Sequence, residues 1–178
     1  MELGIPSLKK VQNGFEGKTR LNTWSGFQLE TSSIGECDLS VGGDMLNTNS
    51  IEDYHIKAFN YAFENQELIK TNILNELYKE YKNIQELYDI ADPIDKQKYT
   101  PDISSVEDFK KLIQINAIDL INQEKDGFGY VGYSFWCKWD EEHALGIMTH
   151  KNRIVEIGGA ETSFLTWIAS KDKNENVL

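Results

Sequence analysis

Residues 130–160, YVGYSFWCKWDEEHALGIMTHKNRIVEIGGA, constrain the fold more than any other stretch of this chain. They hold three short apolar runs, an acidic knot at Asp140-Glu141-Glu142-His143, and glycines where strands would end. Runs this short, rich in β-branched and aromatic residues, suit half-buried strands rather than helices. The segment predicts a β-meander: strands over 128–139, 144–149 and 153–157, the last two joined by a tight turn at Lys151-Asn152. A two-residue loop there sets Met148 opposite Val155 and His150 opposite Arg153.

Upstream, Asp126-Gly127 is a strong hairpin signal, and a hairpin needs a strand before it. Phe109, Leu112, Ile113, Asn116, Ala117, Leu120 and Ile121 would also continue a helical stripe. The β-branched Ile115, Ile118 and Ile121, together with the turn, favour a strand over 115–122, so the meander extends over 115–158. A short helix over 104–113 precedes it, opened by a capping box of Ser104 with Glu107.

The central third reads as helical. Ile51, Tyr54, His55, Ala58, Phe59, Ala62 and Phe63 form one apolar face, with Asn49 or Ser50 as N-cap. After a break at Asn65-Gln66, a second stripe runs through Ile69, Ile73, Leu77, Tyr81, Ile84 and Tyr88. Its other side carries Glu67, Lys70, Glu76, Lys79, Glu80 and Glu86 and reads as solvated. The helical region spans 50–88. Pro93 and Pro101 among polar residues make 91–102 a loop.

The first 45 residues suggest short strands, with turn signals at Asn13-Gly14 and Glu16-Gly17. Thr19-Arg20-Leu21, Phe27 to Glu30 and Cys37 to Val41 have strand character, and Gly42-Gly43 ends the last of these. Residues 160–170 predict a closing helix with Phe164, Trp167 and Ile168 on one face, and 171–178 a frayed polar tail. At 178 residues with 40% hydrophobic content, one domain with a real core is the expectation. The fold class is therefore α+β: a single domain over 1–178, with an antiparallel sheet packed against two to four helices.

Net charge is −11. Such a field repels phosphates and anionic lipid, so nucleic acid and membrane surfaces are not the expected partners. It suits solubility, and it also suits a basic protein partner. Cys37 and Cys137 are far apart and form no C-x-x-C pattern. With no secretory h-region opening the sequence and no spanning apolar run, free thiols and a cytoplasmic location are expected.

Sites with chemistry are few. Gly42-Gly43 lacks the Lys-Ser/Thr of a phosphate loop. Asp140, Glu142 and His143 carry metal-capable groups, but neighbours in a strand or tight turn point apart. No H-E-x-x-H pattern accompanies them. The plain reading is a charged turn in which Asp140 or Glu142 bonds backbone amides. His55 lies in an apolar stripe, as a core histidine does, and His150 sits at a turn. Cys137 shares the core face with Phe135 and Trp139, against a Cys–His nucleophile. Trp136 alternates to the other face, where an aromatic beside acids resembles a protein-binding patch. The weighed binding residues are Trp136, Asp140, Glu141, Glu142 and His143, with no catalytic residue, metal or cofactor assigned.

The run WDEEHALGI at 139–147, then His150 to Arg153 and Val155-Glu156-Ile157-Gly158, resembles a bacterial family of unknown function. Its members close on Trp-Asp-Glu-Glu-His-Gly-Leu-Gly, then a small hairpin and a Val-Glu-x-Gly-Gly ending. Tyr133 to Cys137 matches the strand before it. The resemblance spans most of the chain and is specific over 130–164. Ala144 stands where the signature has its first glycine; if that glycine needs a positive φ, the turn here is strained. Such domains are similar to suspected immunity proteins of polymorphic-toxin systems. The resemblance implies a non-enzymatic toxin-neutralising role with a toxin domain as partner. The rival readings are a metal-dependent hydrolase using Asp140, Glu142 and His143, and a self-associating structural domain.

Overall fold

The computed structural model describes residues 5–29, 31–44 and 48–175. Seven strands form one sheet in the order β1-β2-β3-β4-β5-β6-β7, the order of the chain itself. They are β1 (Lys9–Val11), β2 (Gly14–Arg20), β3 (Glu36–Gly42), β4 (Ile113–Lys125), β5 (Phe128–Cys137), β6 (Asp140–His150) and β7 (Arg153–Gly158). The helices are α1 (Asp53–Glu64), α2 (Gln66–Tyr88), α3 (Pro93–Tyr99) and α4 (Thr166–Glu175).

Five of the six strand pairs are antiparallel, as the fold class expects, and one pair, β3 with β4, runs parallel. A parallel pair needs a long crossover, and here the helical third of the chain supplies it. That crossover carries α1 and α2 onto one face of the sheet. Alternation along β5 shows the division. Val131, Tyr133, Phe135 and Cys137 join Leu39, Ile118 and Ile147 in the core beneath α1 and α2. Tyr130 points the other way, with Ile121 and Met148, against Ile168 and Ala169 of α4.

The helical stripes hold: His55, Ala58, Phe59 and Ala62 are buried on α1, and Ile69, Ile73, Leu77 and Tyr81 on α2. Asn65 separates the two helices, as its position suggested. The cap differs. Glu52, rather than Asn49 or Ser50, is the N-cap, in a capping box with His55 whose Nδ1 accepts from the Glu52 N–H at 3.0 Å.

Strand β4 runs beyond the expected 115–122, and the hairpin forms at Asp126 (φ 53) and Gly127 (φ 79). Strand β5 stops at Cys137 rather than 139, and β6 begins at Asp140 rather than 144. His150 faces Arg153 as expected, but an irregularity after Met148 sets that residue opposite Glu156 instead of Val155.

The expected 91–102 loop holds α3. Pro93 occupies the first helical turn, where its missing N–H costs nothing, and the Asp92 carboxylate accepts from the Ile94 and Asp95 amides at 2.8 and 3.0 Å. The next box is shifted by one residue, to Ser105 with Asp108, and opens a short 3-10 helix, Val106–Lys111. Near the start, Glu16 and Gly17 lie inside β2 rather than in a turn. Phe27 is a buried core residue outside any strand, packed edge-on against Trp24 at 5.0 Å; Glu30 of that expected strand lies outside the described residues.

The closing helix begins later than expected, at Thr166, after a 3-10 turn at Ala160–Ser163. Of the three residues expected to share a face, Ile168 is buried while Phe164 and Trp167 are exposed. Helix α4 continues to Glu175 through most of the supposed tail, whose residues 176–178 lie outside the described residues. Gly132 lets the 3-10 turn sit on the sheet, because a Cβ there would collide with the Ser163 carbonyl. Ser163 Oγ donates to Asp119 at 3.1 Å, which fastens the turn to β4.

Helix α4 is tied down by one carboxylate. Asp172 accepts from both Arg153 terminal nitrogens at 2.9 and 2.7 Å, from Lys125 Nζ at 3.2 Å and from the Tyr130 hydroxyl at 2.8 Å. Burial works against its charge, and these donors override it, holding the Asp172 carboxyl well below the usual range. Both cysteines are free and buried, and burial pushes each thiol up to about 12. Among the described residues, no helix is long and apolar enough to cross a membrane.

Candidate functional site: an acidic cleft beside the β5–β6 turn

The acidic knot is a wide bulge. Cys137 pairs with Asp140 and Phe135 with Leu145, so Glu141, Glu142, His143 and Ala144 stand opposite Trp136 alone. Asp140 organises the bulge. Its Oδ1 accepts from the Glu142 and His143 amides at 3.2 and 2.8 Å, the backbone-bonding role anticipated for it. Its carboxylate also meets His143 Nδ1 at 3.1 Å and accepts the Tyr88 hydroxyl of α2 at 2.5 Å. Burial acts to raise the Asp140 pKa, and the Tyr88 and His143 hydrogen bonds override it, leaving the group lowered. Tyr88 is raised, first by burial and then by the carboxylate it bonds.

The bulge closes through Ala144 at φ 56, in the left-handed region. The positive φ anticipated for this position is thus present. An alanine held there costs about 1–2 kcal/mol of backbone strain.

The residues weighed from sequence fall on two sides of the turn. Asp140 and His143 open into a cleft of about 530 Å³ between the C-terminal half of α2 and strands β6 and β7. Trp136, 46% exposed, and Glu141 border a separate groove of about 390 Å³ with Tyr99 of α3. Glu141, Glu142 and His143 are exposed. Asp140 and His143 meet, but among the described residues no group of three His, Cys, Asp or Glu side chains is placed to hold a metal ion.

Sequence reasoning missed most of the cleft. Its floor is apolar, made by Ile84, Trp139, Leu145, Ile154 and Ile157, with Leu87 at the edge. Around this floor stand Glu76, Glu80, Asp140 and Glu161, while Glu156 borders the space from edge strand β7 with its side chain on the Met148 face of the sheet, and no Lys or Arg lines the space. Glu76 is paired outward with Lys79 at 2.7 Å. Among the described residues no cation pairs with Glu80, Glu156 or Glu161. Glu76, Glu80 and Ile84 recur every four residues, so α2 projects them along one line. That spacing was the available signal, but the carboxylates read as solvated until β7 was placed across from them.

Chemically, the cleft is poor in nucleophiles: no Ser, Thr or Cys lines it. Cys137 is buried as a protonated thiol, donating weakly to the Asp140 carbonyl at 3.5 Å. What remains is an anionic, apolar-floored recess suited to a cationic group with an apolar stem.

The architecture is that of a small α+β domain built on a mostly antiparallel seven-stranded sheet, with an acidic cleft between α2 and strands β6 and β7. The chain belongs to the family described as a domain of unknown function, DUF6985, whose model matches residues 16–165. Neither the curated proteins nor the solved structures give a match to this chain.

Proposed function

We propose that this chain is a non-catalytic binding domain that neutralises a basic protein partner, in the manner of a bacterial immunity protein. The observation that carries the reading is the cleft beside the β5–β6 turn: the carboxylates of Glu80, Asp140 and Glu161 over an apolar floor with no lining Lys or Arg. A net charge of −11 steers a basic partner toward the surface, and the cleft then holds it. A recess without a nucleophile or a converged metal-ligand set supports binding rather than turnover. The toxin-neutralising role extends the resemblance carried by residues 139–158, and the partner is then a basic toxin domain.

The test is affinity capture from the native lysate at low and high salt, with wild type beside a Glu80→Lys/Glu161→Lys variant. The expected result is a basic protein retained by wild type at low salt, released at high salt and lost by the variant. Co-expression of wild type should then relieve the toxicity of that protein, and the variant should not. Retention unaffected by salt and by charge reversal, or a captured partner whose toxicity is not relieved, refutes the reading.

A further inference from the structure

Resting on that reading of the cleft, we infer that its occupant is an arginine side chain from a partner segment that also places an apolar residue on Leu87. The cleft has two parts that a single residue type satisfies together. Its floor, with Ile84 and Ile157, takes an aliphatic stem out of water. Its rim, with Glu80 and Glu161, presents carboxylates that no cation of the described residues neutralises.

Arginine fits better than lysine for a physical reason. An apolar-floored recess strips water from whatever enters it, and a guanidinium is more weakly hydrated than an ammonium. It also spreads five donors in a planar fork that engages carboxylates two bonds at a time. At the edge, Leu87 is 78% exposed on the last turns of α2, an unusual placement for leucine beside an already apolar recess. An apolar neighbour of the arginine covers it, which gives the apolar centre and polar rim of a protein interface.

The experiment is a titration of isotope-labelled protein with three short synthetic peptides, followed by amide chemical shifts. Each peptide holds Leu beside Arg, Lys or the neutral isostere citrulline. The arginine peptide should shift amides of 84–88 and 154–158, with affinity at least tenfold above the citrulline peptide and above the lysine peptide. Glu80→Gln/Glu161→Gln should lower that affinity at least tenfold, and Leu87→Ser severalfold, with the remaining spectrum unchanged. Equal binding of arginine and citrulline, or shifts confined to the Trp136 groove, overturns the inference. Equal binding of lysine overturns the choice of guanidinium. A natural partner that the Gln variant retains as tightly as wild type does overturns the cleft assignment while leaving the binding role intact.

Discussion

His55 should make the stability of this protein fall in mild acid. It lies fully buried at the third position of α1, its Nδ1 accepting the Glu52 amide. An acceptor Nδ1 fixes the neutral tautomer with the proton on Nε2. Burial lowers its pKa from 6.5 to about 4, against smaller opposing effects of the Glu52 carboxylate and the Ile121 carbonyl. At neutral pH the ring is uncharged in both folded and unfolded chains. Below 6.5 the unfolded chain takes up the proton first, so stability falls with pH until the folded ring also protonates near 4. Each unit of difference is worth about 1.4 kcal/mol, so the full window removes about 3 kcal/mol, a large fraction of the roughly 5–15 kcal/mol by which domains are stable. His150, lowered chiefly by burial, adds to the loss with the same sign. Asp172 does not confound the window: its pKa is depressed, so its contribution disappears only as pH falls below the unfolded carboxylate value of 3.8. Urea unfolding at several pH values between 7 and 4.5, followed by tryptophan fluorescence, measures the effect. His55→Asn keeps an acceptor for the Glu52 amide and removes the titration. Asp119, raised chiefly by burial, acts with the opposite sign in both proteins, so wild type should lose roughly 2–3 kcal/mol more than the variant between pH 7 and 4.5. Equal pH slopes in the two proteins would refute the assignment of the loss to His55.

Asp172→Asn should destabilise by about 3 kcal/mol in urea unfolding, because it leaves Lys125 and Arg153 facing a neutral group where both were paired. Ala144→Gly should stabilise by up to about 1 kcal/mol, the strain relieved exceeding the added chain entropy, and raise Tm by about 2–4 °C; a lower Tm would place the strain elsewhere. Both thiols should resist a thiol reagent in the folded protein and react together on unfolding, since each is buried with its pKa near 12. Labelling of Cys137 alone under native conditions would contradict its place in the core.

Periodicity carried the parts of the fold that depend on a buried face. The stripe from Ile69 to Tyr81 and the alternation of Phe135, Trp136 and Cys137 both describe surfaces whose burial is set locally. The parallel β3–β4 pairing has no such local signature, because Cys37 to Val41 alternates identically beside either strand direction. Residues 91–102 show a different failure. Pro93 acts as a helix start only because Asp92 precedes it and caps the turn, so the same residue reads as breaker or initiator according to one neighbour. For the site, the sequence marked Asp140 and His143 because they are adjacent. It passed over Glu80 and Glu161, which line one cleft after 80 intervening positions are folded away.

The boundary of the matched region adds a further point about the architecture. The family model ends at residue 165, one position before α4 begins. Yet α4 supplies Ile168 and Ala169 to the second core, over Ile121, Tyr130 and Met148 of three central strands. It also carries Asp172, the carboxylate that holds Lys125, Tyr130 and Arg153. Without α4, the Tyr130 ring and Met148 would face water, and two cations at the strand ends would lose their counter-ion. The element that falls outside the family match therefore closes one face of the sheet. The cleft lies on the other side of the division, built from α2, β6 and β7 within the matched region. The cleft and the Asp172 cluster thus draw on different elements, and charge changes at Glu80 or Glu161 can be made without touching the carboxylate that holds α4.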